Sequence, residues 1–268
     1  MTAIAVIAAR EIREGIRNKW VAAATAILAA LAVSLSFLGT APVGTVDAAP
    51  LEVLVVGLAS LAMVLVPLIA LLLAFDAIVG EDERGTLLLL LAYPVARWQI
   101  VAGKFLGQLA ILAFAVAAGF GLAAATVAGD GLAWGPFLAL VGSSILLGAA
   151  FLAVGLAVSA VVRQRATAAG VAVAVWLLLV VVVDLALLAA LTAWDLPPPV
   201  FRALLAASPA DAFRLLNLAG FAAVRELSGL AGLADEAAIA PAVLVASLAA
   251  WVVVPLLLAG AAFARRRP

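Results

Sequence analysis

Residues 80–104 read GEDERGTLLLLLAYPVARWQIVAGK and lie between two long apolar stretches. Four consecutive charges, at residues 81–84, precede five leucines and a Tyr-Pro pair, and Arg97 and Lys104 follow. Long apolar runs of this kind are typical of membrane-spanning helices, whereas clustered charges belong at the water interface. The segment therefore predicts a structured turn between two spans.

The composition of the whole chain agrees with a membrane location. Of its 268 residues, 68% are hydrophobic and 11% are charged, and the mean hydropathy is +1.33. Soluble domains have roughly 45–50% apolar and about 25% charged residues. We expect an all-α, polytopic membrane protein that forms one transmembrane domain over residues 1–268. Its six predicted spans are about 20–38, 54–76, 105–127, 137–160, 169–193 and 241–263.

The basic residues are unevenly distributed between the predicted loops. Twelve of the 15 Lys and Arg residues fall on one side, in the N-terminal segment, the 80–104 turn, the turn around Arg163 and Arg165, and the C-terminal end. The other three lie in the 194–240 loop. The positive-inside rule places the twelve in the cytoplasm. Both termini are therefore predicted to be cytoplasmic, and the 194–240 loop is predicted to lie on the external side.

Two segments outside the spans have helical patterns. Residues 4–18 are amphipathic and basic, which predicts an interfacial helix; the alternative is a cytoplasmic extension of the first span. In the 194–240 loop, Ser208 and Pro209 form a helix-start signal. This loop contains the residues that we expect to contact an external partner, unless it packs as a lid on its own bundle. These residues are Phe213, Arg214, Leu216 and Phe221.

The opening segment also predicts a short helix of its own. Its three acids, Glu81, Asp82 and Glu83, suit the N-terminal end of a helix, where they complement the macrodipole. Residues 86–92 extend only about 10 Å, which is too short to span a bilayer. Pro94 would end this helix and stiffen its connection to the third span. The segment is therefore expected to act as a lever; the alternative is a loop whose charges serve only to set topology.

The stretch ERGTLLLLLAYPVARWQIVAGKFLG resembles the coupling segment of the type-2 family of ABC transporter permeases. The six-span layout and the N-terminal helix extend this resemblance over nearly the whole chain. It implies a homodimer in a bacterial inner membrane, in contact with membrane lipid but not with nucleic acid, and docked onto a cytoplasmic ATPase dimer that holds ATP and Mg. By this resemblance the ATPase-coupling residues are Glu81, Asp82, Glu83, Arg84, Gly85, Thr86, Pro94, Arg97, Lys104, Arg163 and Arg165.

A narrower similarity rests on REIREGIRNKWV, SFLGT, FDAIVGEDERGTLLLLLAYPVARWQ, RQRATAAG and SPADAFRLLNL. Together they are similar to the permease subunits of transporters that serve nitrous-oxide reductase maturation. This similarity implies a periplasmic copper-handling partner of parallel β-helix type. Whether copper, a sulfur species or nothing crosses the bundle stays open.

The residues missing from the sequence limit what the chain can bind by itself. It has no Cys, no His and only two Met, so neither a soft-metal site nor an imidazole base is expected. There is no phosphate-binding G-x-x-x-x-G-K-[ST] motif, so ATP must bind to another subunit. We expect no catalytic residue, no metal ligand and no cofactor on this chain.

One carboxylate lies inside a predicted span. Asp184 interrupts LLLVVVVDLALLAAL, and Ser143 and Ser144 lie at similar depth in the fourth span. An intramembrane acid is costly and marks a functional-site hypothesis. No Lys or Arg falls within the predicted spans, so no ion pair is expected for Asp184. Its role is either to fix packing through the serines or to line a pathway.

Three other interpretations compete with the leading one. The chain could be an ABC exporter permease for another substrate, such as a lipid, drug or ion. It could be an integral-membrane enzyme, although three intramembrane polar residues without a base are a poor catalytic set. It could also be a passive scaffold. An ATPase that copurifies with the chain would favour the permease interpretation over the enzyme and the scaffold.

Overall fold

The computed structural model describes residues 2–39, 50–127, 134–193, 197–218 and 239–266. Within these ranges the regular secondary structure is helical. The α-helices are α1 Ala3–Arg17, α2 Lys19–Gly39, α3 Pro50–Ala74, α4 Val79–Glu83, α5 Thr86–Leu91, α6 Arg97–Val127, α7 Trp134–Val161, α8 Arg165–Trp176, α9 Val183–Ala193, α10 Pro198–Ala207, α11 Pro209–Leu218 and α12 Pro241–Arg265. A π-helical segment, Leu177–Val182, joins α8 to α9.

Six helical stretches in the described residues are long and apolar enough to cross a membrane, which confirms the predicted fold class. They are α2, α3 continued into α4, α6, α7, the α8–π–α9 unit and α12. The third begins at Arg97 rather than at residue 105 and so contains Lys104. The expectation that no basic residue lies within a span is therefore wrong at this position.

Helix α7 is the central element of the bundle and packs mainly against α3 and α12. Its buried side chains include Leu147, Phe151 and Leu156. Close approach to α3 depends on Gly155, because a Cβ there would lie 2.7 Å from the Cβ of Ala74. Small residues bring helices together in a bilayer, where packing rather than the hydrophobic effect holds them.

Helix α1 is separate from the first span, so the alternative of one continuous helix is wrong. Asn18 interrupts the chain with an extended backbone, and its Oδ1 accepts a hydrogen bond from the amide of Trp20 at 2.9 Å. Instead of continuing into α2, α1 packs along α6. Gly107 permits this contact, because a Cβ there would lie 2.5 Å from the Cβ of Glu11.

Long-range contacts define two ends of the bundle. We call one the basic end; it carries α1, α4, α5, the α7–α8 turn and the C-terminal end of α12, and ion pairs connect these elements except α5. We call the other the far end; it carries α10 and α11, with α11 packed against α3, α7 and α12. The four basic regions of the sequence thus meet at one end, as an even number of spans requires.

Candidate functional site

The predicted coupling segment consists of two short helices rather than one. Helix α4 ends at Glu83, and Gly85 then adopts a left-handed conformation with φ 71°, which a residue without a Cβ tolerates easily. Helix α5 begins at Thr86, whose hydroxyl donates to the carbonyl of Glu81 at 3.2 Å. The three acids therefore lie in α4, before the turn, and not at the start of the leucine helix as predicted.

Helix α5 presents apolar side chains on its outer surface. Leu88 and Leu89 are 59% and 68% exposed, and Tyr93 beyond the helix is also exposed. Leu87 is buried instead and fixes the helix to the core. Exposed leucines at an otherwise charged end are the pattern expected of a surface that another protein covers.

Two predicted coupling residues form a buried ion-pair network inside the chain. Lys104, with a side chain only 2% exposed, places its Nζ 2.7 Å from Glu11 Oε1 and 2.8 Å from Glu81 Oε1. The Glu81 side chain is 6% exposed. Neither Lys104 nor Glu81 offers surface for docking, which corrects that prediction. Their role in this structure is to join α1, α4 and α6, because buried charges require partners.

Two further acids tie the coupling segment to other elements. Asp82 Oδ2 lies 2.7 Å from Arg266 Nη2, and Arg266 also donates to the carbonyls of Ser159 and Ala160 at the end of α7. Glu83 Oε1 accepts the backbone amide of Arg165 at 2.7 Å. These contacts hold α4 against α7, α8 and the C-terminal end of α12.

Asp76, which the sequence reading did not single out, pairs with two bases that it did. Its Oδ1 lies 2.9 Å from Arg165 Nε, and its Oδ2 lies 3.7 Å from Arg84 Nη1. Arg84 and Arg165 both remain more than half exposed. Asp76 therefore positions two exposed cations beside the turn at Gly85.

The remaining predicted coupling residues divide into an inward and an outward set. Arg97 points inward, where its Nη1 donates to the carbonyls of Phe263 at 2.7 Å and Arg266 at 2.6 Å. A cation at a helix C-terminal end satisfies carbonyls that have no partner within the helix. Pro94 and Arg163 are exposed. Thus Arg97 braces α12, and the structure leaves Pro94 and Arg163 accessible.

A second polar cluster lies at the far end and answers the question raised by Asp184. Arg214 of α11 places its Nη1 2.7 Å from Asp184 Oδ1 and 3.3 Å from Asp211 Oδ1, and its Nη2 lies 3.4 Å from the Met63 sulfur. The expectation that Asp184 has no ion-pair partner is wrong. The base comes from outside the predicted spans, on a helix that folds back against the bundle. Asp184 also lies two residues after the end of the π-helical segment, a distortion that often marks functional sites.

The two serines do not bind Asp184 in this structure. Ser143 Oγ lies 3.0 Å from Asn217 Oδ1 and also donates to the carbonyl of Leu140, as does Ser144. Asn217 in turn donates to the carbonyl of Phe213 at 2.8 Å. Ser143 therefore connects α7 to α11 through Asn217, a residue that the sequence pattern did not single out, whereas Ser144 bonds within α7.

Burial changes the interpretation of the predicted partner-contact residues on α11. Phe213 is fully buried, and Leu216 is partly buried against the core. Arg214 is committed to the two aspartates. Phe221 lies outside the described residues. The described part of this loop therefore packs on its own bundle, and Phe213 is a core residue rather than a surface contact.

Asp211 shows how deeply α11 is inserted. Its amide donates to Ser208 Oγ at 3.3 Å, which confirms the predicted helix start, and its side chain is almost completely buried. Burial raises the pKa of the Asp211 carboxyl, while the hydrogen bond with Ser208 and the charge of Arg214 act against this rise. Asp211 Oδ2 accepts no hydrogen bond from any residue in the described ranges.

A metal site in a chain without Cys or His would have to be built from carboxylates. Across residues 2–39, 50–127, 134–193, 197–218 and 239–266, no three His, Cys, Asp or Glu residues are grouped closely enough to hold a metal ion. The far-end cluster contains two aspartates, but Arg214 lies between them and neutralises them. The arrangement is that of a structural ion pair.

The sequence of the chain is similar to those of known membrane proteins. The family model described as ABC-2 family transporter protein matches residues 5–267. A "Probable ABC transporter permease protein NosY" from Stutzerimonas stutzeri is 45% identical over 97% of both chains. A protein of the same name from Pseudomonas aeruginosa is 42% identical over the full length of both chains. This similarity covers the membrane spans, the coupling segment and the far-end helices together, and the chain belongs to the ABC-2 family of ABC transporter permeases.

Proposed function

We propose that this permease subunit transmits the motion of a cytoplasmic ATPase dimer into its spans through α5. The observation that carries the proposal is the exposed leucine surface of α5, which directly follows α4, where two acids form ion pairs with α6 and with the C-terminal end of α12. A helix that is to transmit force must present an apolar contact and must not swing freely. The ATPase supplies the ATP and Mg sites, for which this chain has no motif.

The direction of the chain in the membrane follows from charge. The basic end is cytoplasmic, because twelve of the 15 Lys and Arg residues belong to its four regions. Both termini are then on the ATPase side, and the far end faces the periplasm of a bacterial inner membrane.

A homodimer is supported by the exposure of span five. Only 11% of its most apolar window is buried within the described part of the chain, compared with 61% for α7. Exposed apolar surface on a spanning helix can face lipid, but a second copy of this chain can also cover it. An ABC permease needs two such units to form a central pathway, and span five is the surface on which we place the partner copy.

The biological role that we propose is nitrous-oxide reductase maturation with a periplasmic copper-handling partner. The similar proteins from S. stutzeri and P. aeruginosa carry the permease name given above, and the sequence resembles permeases of that system. The chain has no Cys or His with which to carry copper itself. In this proposal the spans act mechanically on the partner, which holds the metal.

The test uses the absence of native cysteine. Leu89→Cys gives a single thiol on α5, and Leu138→Cys gives a matched, equally exposed thiol on α7 near the far end. With a short bifunctional reagent, Leu89→Cys should crosslink to the coexpressed ATPase and Leu138→Cys should not. Crosslinking of Leu138→Cys alone would refute the docking surface and the orientation together.

A functional variant completes the test. Leu88→Asp with Leu89→Asp should reduce ATPase copurification by more than tenfold, because each buried leucine contributes about 1.5–3 kcal/mol to a contact. The chain itself should still fold, since both side chains are exposed in the free subunit. Ala9→Asp, an added charge at an exposed position of α1 at the same end, is the control and should copurify normally.

A further inference from the structure

The N-terminal end of α4 is capped by a residue from another span. The residue before this helix is Ile78, whose apolar side chain cannot accept a hydrogen bond. The amides of Ile78 and Val79 instead donate to Ser159 Oγ, at 2.9 Å and 3.1 Å. Serine is a preferred helix cap, but this serine belongs to α7, 80 positions after Val79 in the sequence.

The three residues of this cap are closed off from solvent. Ile78, Val79 and Ser159 are each 0% exposed. A buried amide that loses its acceptor is costly, because no water replaces the missing hydrogen bond. The position of the start of α4 therefore depends on one oxygen atom of α7.

A second contact joins the same two helices. Arg266 Nη1 donates to the carbonyls of Ser159 at 3.0 Å and Ala160 at 3.3 Å, and its Nη2 lies 2.7 Å from Asp82 Oδ2 of α4. Only 6% of the Arg266 side chain is exposed. Ser159 thus contacts α4 directly through its hydroxyl, and indirectly through its carbonyl by way of Arg266.

Helix α7 is well placed to pass a movement of α4 to the rest of the bundle. It packs against α3, α6, α11 and α12, and its 28 residues extend about 40 Å between the two ends. Near the far end, Ser143 Oγ donates to Asn217 Oδ1 of α11 at 3.0 Å. Packed side chains and hydrogen bonds along a rigid helix are the means by which distant sites are coupled.

We propose that Ser159 is the positioning residue through which α4 moves α7. This inference rests on the proposed docking of the ATPase on α5, and it names the point at which the resulting movement enters the central span. Without the hydroxyl, α4 keeps the ion pair of Glu81 with Lys104 but loses its direct bonds to α7. The ATPase then still docks and hydrolyses ATP, while α7 no longer follows α4.

A fluorescent label at the far end of α7 measures this movement. Leu138→Cys provides the only thiol of the chain, at an exposed position, for an environment-sensitive fluorophore. In the complex with the coexpressed ATPase, we expect the emission to shift between the nucleotide-free state and the state trapped with ATP and vanadate. Adding Ser159→Ala should reduce this shift roughly tenfold, the change in population that corresponds to one buried hydrogen bond. ATP hydrolysis should continue.

Ser144→Ala is the matched control. Ser144 is also a buried serine of α7, but its hydroxyl donates to the carbonyl of Leu140 in the same helix, so the shift should not change. Ser159→Thr keeps the hydroxyl and should restore the shift. A full shift in Ser159→Ala would overturn the proposal, and so would a shift in Ser159→Thr that is as small as in Ser159→Ala.

Arg266→Met decides the question if Ser159→Ala does not assemble. This variant removes the second contact between α4 and α7 and should also reduce the shift. Its control is Arg265→Met, at the exposed neighbouring position, which should leave the shift unchanged. Equal shifts in these two variants would overturn the proposal.

Crosslinking of Leu89→Cys separates this inference from the proposed function. The ATPase should crosslink to Leu89→Cys equally with Ser159 and with Ser159→Ala. If the chain with Ser159 does not crosslink, the proposed function fails and this inference fails with it. If that chain crosslinks but its α7 label shows no ATP-dependent shift, the role of Ser159 is overturned and the docking surface on α5 stands.

Discussion

The basic end and the far end both contain ion pairs, but the two arrangements differ in burial and in reach. At the basic end, Lys104 is almost fully buried and serves two carboxylates from two different helices. At the far end, Arg214 also serves two carboxylates, yet Arg214 and Asp184 are each about one-third exposed. The first network joins three helices into a rigid unit, whereas the second attaches one short helix to the side of a span.

This difference indicates which end can move. A buried cation between two carboxylates cannot leave without exposing uncompensated charges, so we expect α1, α4 and α6 to move as one body. A partly exposed pair is weak, and opening it costs little. Movement that starts at α5 would therefore pass through the basic end to the other spans. We expect the chain to flex at the far end, where α11 is attached to span five.

The largest expected effect is at Lys104. Lys104→Met leaves Glu11 and Glu81 buried without their shared cation, which costs about 3–5 kcal/mol. We expect the thermal midpoint of the purified subunit to fall by roughly 6–20 °C, at about 2–4 °C per kcal/mol for a chain of this size. The purified subunit is heated to a series of temperatures, and the monodisperse protein that remains is measured by size-exclusion chromatography.

Arg10 provides the matched control for this prediction. It reaches the same Glu81 oxygen, but at 3.7 Å and with a half-exposed side chain. Arg10→Met should therefore lower the midpoint by a few degrees at most. Adding Glu11→Gln and Glu81→Gln to Lys104→Met should recover much of the loss. If the Lys104→Met subunit is as stable as the parent, the buried network does not hold α1, α4 and α6 together as a rigid unit.

The sequence was sufficient to predict the six spans, because these depend on local composition. It was insufficient for the ion-pair partners of the charged residues in the 80–104 segment. The family resemblance places Lys104 among the coupling residues, and only the fold shows that it is paired with Glu11, which lies 93 positions away in the sequence. The structural role of Arg266 could not be recognised either. It is one of three consecutive C-terminal arginines, and the positive-inside rule already accounts for such a cluster.

At the far end, too, the sequence did not show which residues pair with each other. Asp184 stands out in the sequence because a carboxylate interrupts an apolar run, and the structure gives this carboxylate an ion-pair partner. Its partner, Arg214, was assigned to a periplasmic surface because its helix is amphipathic and lies outside the spans. Helix periodicity identifies an apolar stripe but does not specify whether another protein or the same bundle covers it. The buried Phe213 on that stripe shows that the bundle does so here.

The intermediate effect is expected for the pair of Asp184 and Arg214. In a double-mutant cycle with Asp184→Asn and Arg214→Gln, the coupling free energy should be about 0.5–1 kcal/mol, because the pair is partly exposed. Each single variant should assemble with its ATPase. If Asp184 instead lines a pathway, transport or maturation activity should fall in Asp184→Asn while the thermal midpoint stays unchanged. A coupling free energy near that of the Lys104 network would contradict the distinction between the two ends.

The smallest effect concerns pH at Asp211. Burial raises the pKa of this carboxyl above its ordinary value of 3.8, so the folded chain binds a proton more readily than the unfolded chain. Stability should therefore increase as the pH falls through the raised pKa towards 3.8, which is opposite to the usual acid destabilisation by paired carboxylates. Asp211→Asn carries no titrating group and removes this contribution. The difference in thermal midpoint between the parent and Asp211→Asn, measured from pH 7 to pH 4, should shift in favour of the parent as the pH falls. A difference that moves the other way would mean that Arg214 and Ser208 outweigh burial, and that the far-end cluster is held as firmly as the basic end.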